Sequence, residues 1–135
     1  MEDCIFCKIV RGEIPSSKVY EDDNVIAFLD ISPVNKGHTL VIPKKHSENI
    51  LEDDFEDVIA CMEAIRKIAP KVMESVNADG FNLSVNTNKA AGQEVMHTHF
   101  HIIPRFNDDE FKNWAQGQYE DGEMKDVQDK IKEKF

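Results

Sequence analysis

The chain has 135 residues, of which 41% are hydrophobic and 31% charged, and a formal net charge of −10. That length suits one domain with a single core. The charge argues against binding a nucleic-acid backbone or an anionic membrane surface, though not against a small nucleotide held by a few local donors. No apolar run approaches the roughly 20 residues of a membrane span. The amino terminus, MEDCIFCKIV, lacks a basic region followed by a long apolar stretch, so no signal peptide is visible, and three cysteines without secretory context point to a reducing cytoplasm.

In chain order, the first feature is CIFC, with Cys4 and Cys7. Three readings stand beside one another: half of a tetrahedral zinc site, inert thiols, or a redox pair. A thioredoxin-like pair follows a strand at a helix start, and no strand precedes this one. Half a zinc site needs two further ligands, and the spare imidazoles are His38, His46 and those near residue 100. KVYEDDNVIAFLDI (18 to 31) predicts a hairpin that turns at Asp22, Asp23 and Asn24. Pro33, Asn35 and Gly37 make a loop, and HTLVIPK (38 to 44) a third strand.

Residues 52 to 76 follow a helical period through Val58, Met62, Ile65, Ala69, Val72 and Val76. Asp53, Asp54, Glu56 and Asp57 crowd its start, where carboxylates suit the helix dipole. Pro70 is expected to kink or split the helix, and Asn77 to Gly80 to stop it. Cys61 falls between its apolar positions as a small packed residue. FNLSVN (81 to 86) and MHTHFHIIPR (96 to 105) read as the fourth and fifth strands. The segment after about residue 107 is charged and weakly patterned, with a short helix expected at 122 to 134. No repeat or second domain is visible. The expected class is α+β: a five-stranded, mainly antiparallel sheet, one long helix and a short carboxyl-terminal helix, as a single domain over 1–135.

HTHFHII (97 to 103) places histidines at every second position. In a strand, His97, His99 and His101 share one face, and Thr98, Phe100 and Ile102 the other. In a helix the three imidazoles would diverge. Phe100 and Ile102 suit a core-facing side, leaving the histidines toward a cleft.

NTNKAAGQEVMHTHFHIIPR (86 to 105) resembles the signature of the histidine triad (HIT) family. FLDISPVNKGHTLVIPKKH (28 to 46) resembles the family's first nucleotide-binding segment, and CIFCKIVRGEIPSSKVYEDD (4 to 23) its amino-terminal hairpin. The resemblance covers about residues 4 to 105 and is strongest to the phosphoramidase-like (Hint) branch. It implies a homodimer in which two five-stranded sheets join into one. It also implies a hydrolase acting at the α-phosphorus of AMP or GMP derivatives through a covalent nucleotidyl-histidine.

On that resemblance His99 is the nucleophile, His101 serves phosphate and leaving group, and His38 lies behind the nucleophile. Asp30 is the ribose contact, and Phe6, Ile9 and Ile31 lie against the base. Asn86, Gly92, Gln93, Glu94 and Val95 belong to the phosphate side. Glu94 stands where many members have Ser, which implies a preference for a cationic leaving group. The resemblance completes a structural zinc site as Cys4, Cys7, His46 and His97, a closed tetrahedral set with no open position for water. Three rival readings are a dinucleoside polyphosphate hydrolase, a nucleotide-binding scaffold with little turnover, and a hydrolase using zinc on His99, His101 and Asp30 to activate water. Trp114 is expected either to reach a dimer-mate's pocket or to cap the sheet.

Overall fold

The computed structural model describes residues 3–135. Its frame is one antiparallel sheet built from β1 (Lys18–Glu21), β2 (Val25–Leu29), β3 (Thr39–Pro43), β4 (Gly80–Val85) and β5 (Phe100–Arg105). The spatial order is β1-β2-β3-β5-β4, and every neighbouring pair is antiparallel. The hairpin turns where expected: the Asp22 carboxylate accepts from the backbone N–H of Asn24 and of Val25, each at 2.8 Å.

Strand alternation divides the core in two. Val25, Ala27, Val41, Phe100 and Ile102 face the long helix α2 (Phe55–Val76). Ile26, Phe28, Leu40 and Ile42 face the other way, onto a short helix α1 (Ile5–Val10). His101 pairs with Leu40 on β3 and Ser84 on β4, so its ring belongs to the α1 side of the sheet. The long helix crosses one face and the histidines occupy the other.

Four expectations need correcting. The segment likened to an amino-terminal hairpin forms helix α1, and the hairpin itself begins only at Lys18. β5 starts at Phe100 rather than residue 96, because its partner β3 pairs only residues 39–41 against 100–102; His97 to His99 therefore enter the strand without ladder partners. α2 starts at Phe55, with Asp54 extended as its N-cap. Pro70 does not split α2, because it lies on the exposed side, where the carbonyl left without a helical donor meets water. The buried face of α2 is Cys61, Ala64, Ile65, Ile68 and Ala69, while Val58, Met62 and Val72 pack at its flanks. Asn77 ends the helix in the left-handed region at φ 56°. Gly37, at φ 89°, is required: a Cβ there would stand 3.1 Å from Val76 and 3.3 Å from Pro104.

From Arg105 the chain leaves the sheet as an arm ending in α3 (Glu123–Lys132), none of whose residues is buried. Arg105 holds the arm's root, donating to both carboxylate oxygens of Asp109 and to the Phe111 carbonyl. No helix among the described residues is long and apolar enough to cross a membrane.

Candidate active site and metal centre

The candidate metal centre is built by α1, His46 and the approach to β5. Cys4 is the N-cap of α1, and its sulfur accepts from the Cys7 N–H at 3.4 Å. The helical turn thus presents both thiols to one side. His97 is fully buried, and its Nε2–H donates to the Pro43 carbonyl at 2.8 Å. That bond leaves the Nδ1 lone pair free, and it points at the thiols: 3.4 Å from Cys4 Sγ and 3.6 Å from Cys7 Sγ. His46 Nδ1 lies 3.3 Å from Cys7 Sγ and 3.3 Å from His97 Nδ1. Tetrahedral zinc with Zn–S near 2.3 Å and Zn–N near 2.05 Å requires edges of about 3.6 Å for S···N and about 3.3 Å for N···N. The observed edges match within 0.3 Å, so the donor set fits the ion. Burial pushes the His97 pKa down to about 4, and the ring is a neutral ligand at pH 7.

Next to it lies a chain of imidazoles whose protons can be assigned. The Val34 N–H donates to His38 Nδ1 at 3.0 Å, so His38 carries its proton on Nε2. His38 Nε2 is 2.9 Å from His101 Nδ1 and donates to it. His101 then carries its own proton on Nε2, which is buried and has no partner. His99 donates from Nδ1 to the His97 carbonyl at 2.7 Å, which leaves Nε2 as the bare nitrogen. One cluster therefore offers a lone pair on His99 and a hydrogen-bond donor on His101, with ring centroids 5.0 Å apart. Burial lowers the pKa of His38 and of His99, and that of His101 to about 4, so all three are neutral near pH 7. The Asp30 carboxylate lies 3.7 Å from His38 Nε2 and accepts the Ser32 N–H at 2.8 Å. Because His38 is neutral and already donates to His101, Asp30 and His38 do not form an ion pair.

The remaining candidates fall into two groups. Phe6 is buried, with its ring edge-on to His99 at 5.1 Å and to His97 at 5.9 Å; Ile9 and Val95 pack partly buried on the same cluster. Ile31 is 97% exposed beside Asp30. Asn86 donates weakly to the Gly92 carbonyl at 3.4 Å, and Gly92 holds φ 92°. Glu94 is exposed, and its charge acts on His99. Gln93 is buried and its amide is spent on the backbone: it donates to the Glu48 and Val95 carbonyls and accepts from the Asn88 N–H. That makes it a strut under the loop. The groups that fix the tautomers — the Val34 amide and the Pro43 and His97 carbonyls — belong to the backbone and carry no side-chain signature. Asp30, His38 and His101 also form a compact donor set, but His38 and His101 are joined to each other by a hydrogen bond, which spends the lone pair a metal would need.

The approach to β5 and the strand itself thus carry three alternating histidines on the α1 side, with a bare ring nitrogen on His99 beside a ring donor on His101. The HIT domain model matches residues 11–108. An uncharacterised HIT-like protein of Methanocaldococcus jannaschii is 51% identical over 106 residues, covering 78% of this chain and 81% of that protein. The adenylylsulfatase HINT3 of Arabidopsis thaliana is 46% identical over 103 residues, covering 76% of this chain and 52% of that protein. A crystal structure from Streptococcus mutans superposes with a TM-score of 0.92 at 46% identity, covering 99% of this chain and 86% of that one. A zinc-bound histidine triad protein of Mycobacterium smegmatis superposes at 0.79 with 34% identity, covering 99% of each chain. The chain belongs to the HIT family.

Proposed function

We propose that the protein hydrolyses nucleoside monophosphate derivatives, phosphoramidates foremost, at the α-phosphorus. The observation that carries this is the tautomer pair: bare Nε2 on His99 beside Nε2–H on His101. His99 Nε2 attacks phosphorus, and the P–N bond to the leaving amine breaks as a P–N bond to His99 forms. The departing nitrogen takes the Nε2 proton of His101, whose Nδ1 is held by His38. Water then attacks the nucleotidyl-histidine, passing one proton back to His101 Nε2 as its oxygen bonds to phosphorus; the P–N bond to His99 breaks, returning His99 Nε2 to its bare form and releasing the nucleoside monophosphate. The His97 carbonyl steadies His99 by accepting from Nδ1–H, which gains positive charge in the adduct. Asp30 suits the ribose hydroxyls, and Phe6, Ile9 and Ile31 the purine. The loop of Asn86, Gly92, Glu94 and Val95, braced by Gln93, meets the phosphate and the leaving group.

Zinc would be held by Cys4, Cys7, His46 and His97 and would supply structure by tying α1 to the entry of β5. The Mycobacterium smegmatis relative's zinc supports that assignment, and the adenylylsulfatase relative supports nucleotide hydrolysis. Two copies joined through the unpaired outer edge of β4 would give the dimer. Purified wild type and His99→Ala, mixed with adenosine 5′-phosphoramidate, test the chemistry. The expected result is AMP release by the wild type alone, with an acid-quenched adduct mapped to His99. Equal release by both proteins would overturn it.

A further inference from the structure

A groove opens where α2 crosses the β1–β2 edge of the sheet, on the face away from the histidines and at the opposite edge from β4. It holds about 680 Å³, within the roughly 300–1,000 Å³ of sites that take small molecules. Its floor is apolar: Leu29, Ile68 and Val72 line it together with Val19 and the Tyr20 ring. Strand alternation alone would send Val19 and Tyr20 to opposite faces. A bulge between Lys18 and Tyr20 shifts the register against β2, and both side chains line the groove. Val19 and Leu29 stay 49% and 38% exposed, so the described residues leave the groove open.

The charges on its rim are ordered. Gly37 marks one end, where Val76 and Val72 leave no room for a side chain. Beside it stands Lys36, and across the groove stand Lys67 and Lys71, one turn apart on α2. All three are exposed, and among the described residues none has an ion pair. Ser75 donates to the Lys71 carbonyl at 2.7 Å, which leaves the ammonium groups as the free donors. The other end is acidic. The Tyr20 hydroxyl donates to the Asp22 carboxylate at 2.7 Å, and the Glu63 charge acts on the same side chain. In a chain of net charge −10, three uncompensated cations around one apolar groove make a local site for an anion.

From Lys67 to Val76 the helix rises about 14 Å at 1.5 Å per residue. A specific protein partner needs about 1,000 Å² of buried surface, more than a groove of that length supplies. A single alkyl chain fits such a length without reaching beyond it. We propose that the groove binds a free single-chain fatty carboxylate. The carboxylate lies between Lys36 and Lys71 at the Gly37 end, and the tail runs along Val72, Leu29 and Ile68 toward the Tyr20 ring. The opposite pose would set the carboxylate against Asp22 and Glu63. The lysine stems extend the apolar walls while their ammonium groups reach the carboxylate. The site shares no residue with the imidazole cluster, and the inference does not rest on the hydrolase reading.

Dodecanoate titrated into the full-length protein below its micelle concentration tests this, followed by calorimetry and 15N–1H spectra. The expected result is saturable binding, with shifts confined to Val19, Leu29, Lys36 and residues 67–76. Lys36→Glu/Lys71→Glu is expected to raise the Kd about tenfold, as two exposed ion pairs become like-charge contacts. Both positions are exposed, so an unchanged unfolding midpoint marks a folded variant. Should that midpoint fall, Lys36→Gln/Lys71→Gln carries the same test without the reversed charge. Butyrate has the head without the tail, and dodecyltrimethylammonium the tail with a cationic head; each should bind far more weakly. Equal binding of the cationic amphiphile would reduce the groove to bare apolar surface and overturn the proposal. So would no saturable binding, an unaffected Kd in the charge variants, or shifts centred on the imidazole cluster. Cosedimentation with phosphatidylglycerol vesicles without binding of free dodecanoate would replace it with a membrane contact.

Discussion

The assignment of protons along the imidazole chain makes a prediction that requires no substrate. In the wild type, His38 and His101 are both Nε2–H, and His99 is Nδ1–H. The wrong tautomer of His101 would set two N–H groups against each other across 2.9 Å and leave His38 without its acceptor. Losing one hydrogen bond and stranding a buried donor costs about 2 kcal/mol, at the middle of the usual range. That is roughly a thirtyfold bias, so the minor tautomer of His101 lies below about 5%. Long-range 15N–1H correlation spectra at pH 7.5 report each ring nitrogen directly. In His38→Phe the donor to His101 Nδ1 is gone, and His101 should become a mixture of tautomers. Since the Nε2–H form alone donates toward the substrate, kcat on the phosphoramidate should fall by the fraction of that form lost, about twofold for an even mixture. A wild-type His101 protonated on Nδ1, or a His38→Phe spectrum with His101 unchanged, would refute the relay.

Three further outcomes are expected. Metal analysis should find one zinc per chain, abolished in Cys4→Ser; at free zinc a thousandfold above its Kd, the bound ion adds about 4 kcal/mol, read as the drop in unfolding free energy on chelation. Stability of the chelated protein should fall as pH drops from about 6.5 toward 4. The folded pKa of His101 is about 4, below the unfolded value, so the folded state resists the proton that the unfolded chain accepts. Urea midpoints taken across that window should fall less steeply in His101→Gln. Gln93→Leu strands the Asn88 N–H and two carbonyls that Gln93 now serves. Its cost should be about 2–4 kcal/mol in chemical unfolding, with a rise in KM from the loosened loop.

Much of the fold was legible because period and turn chemistry agreed locally. The Asp22–Asn24 turn, the alternation from Phe100 onward and the stop at Asn77 all sit where residue types demand them. The misreadings share a cause, which is that tertiary partners decided. Histidines 97 and 99 alternate like strand residues, but β3 offers no ladder opposite them. α1 was hidden because cysteine is not a customary N-cap; its sulfur takes that place where both thiols must face His97. The core stripe of α2 drifted by a residue or so, since Cys61 and Ala64 are small enough to let the helix lie close to the sheet. Among the candidate site residues, the spacing anticipated that the histidines would gather on one face. Their tautomers were not legible, because backbone carbonyls and one amide set them. Gln93 is expected from the resemblance at the phosphate side; that its amide is bound to backbone groups of Glu48, Asn88 and Val95 could not be read from a loop glutamine alone.

Phe6 lies between the two cysteines in the first turn of α1 and rests its ring edge-on to His97 and to His99. The same short helix therefore frames the candidate metal ligands and walls the proposed nucleophile. Peroxide that joined Cys4 to Cys7 would strike both at once, since pulling the thiols together would shift the turn that carries Phe6. Anyone grafting the histidines onto another scaffold would have to carry the first ten residues with them, although no side chain there takes part in bond breaking.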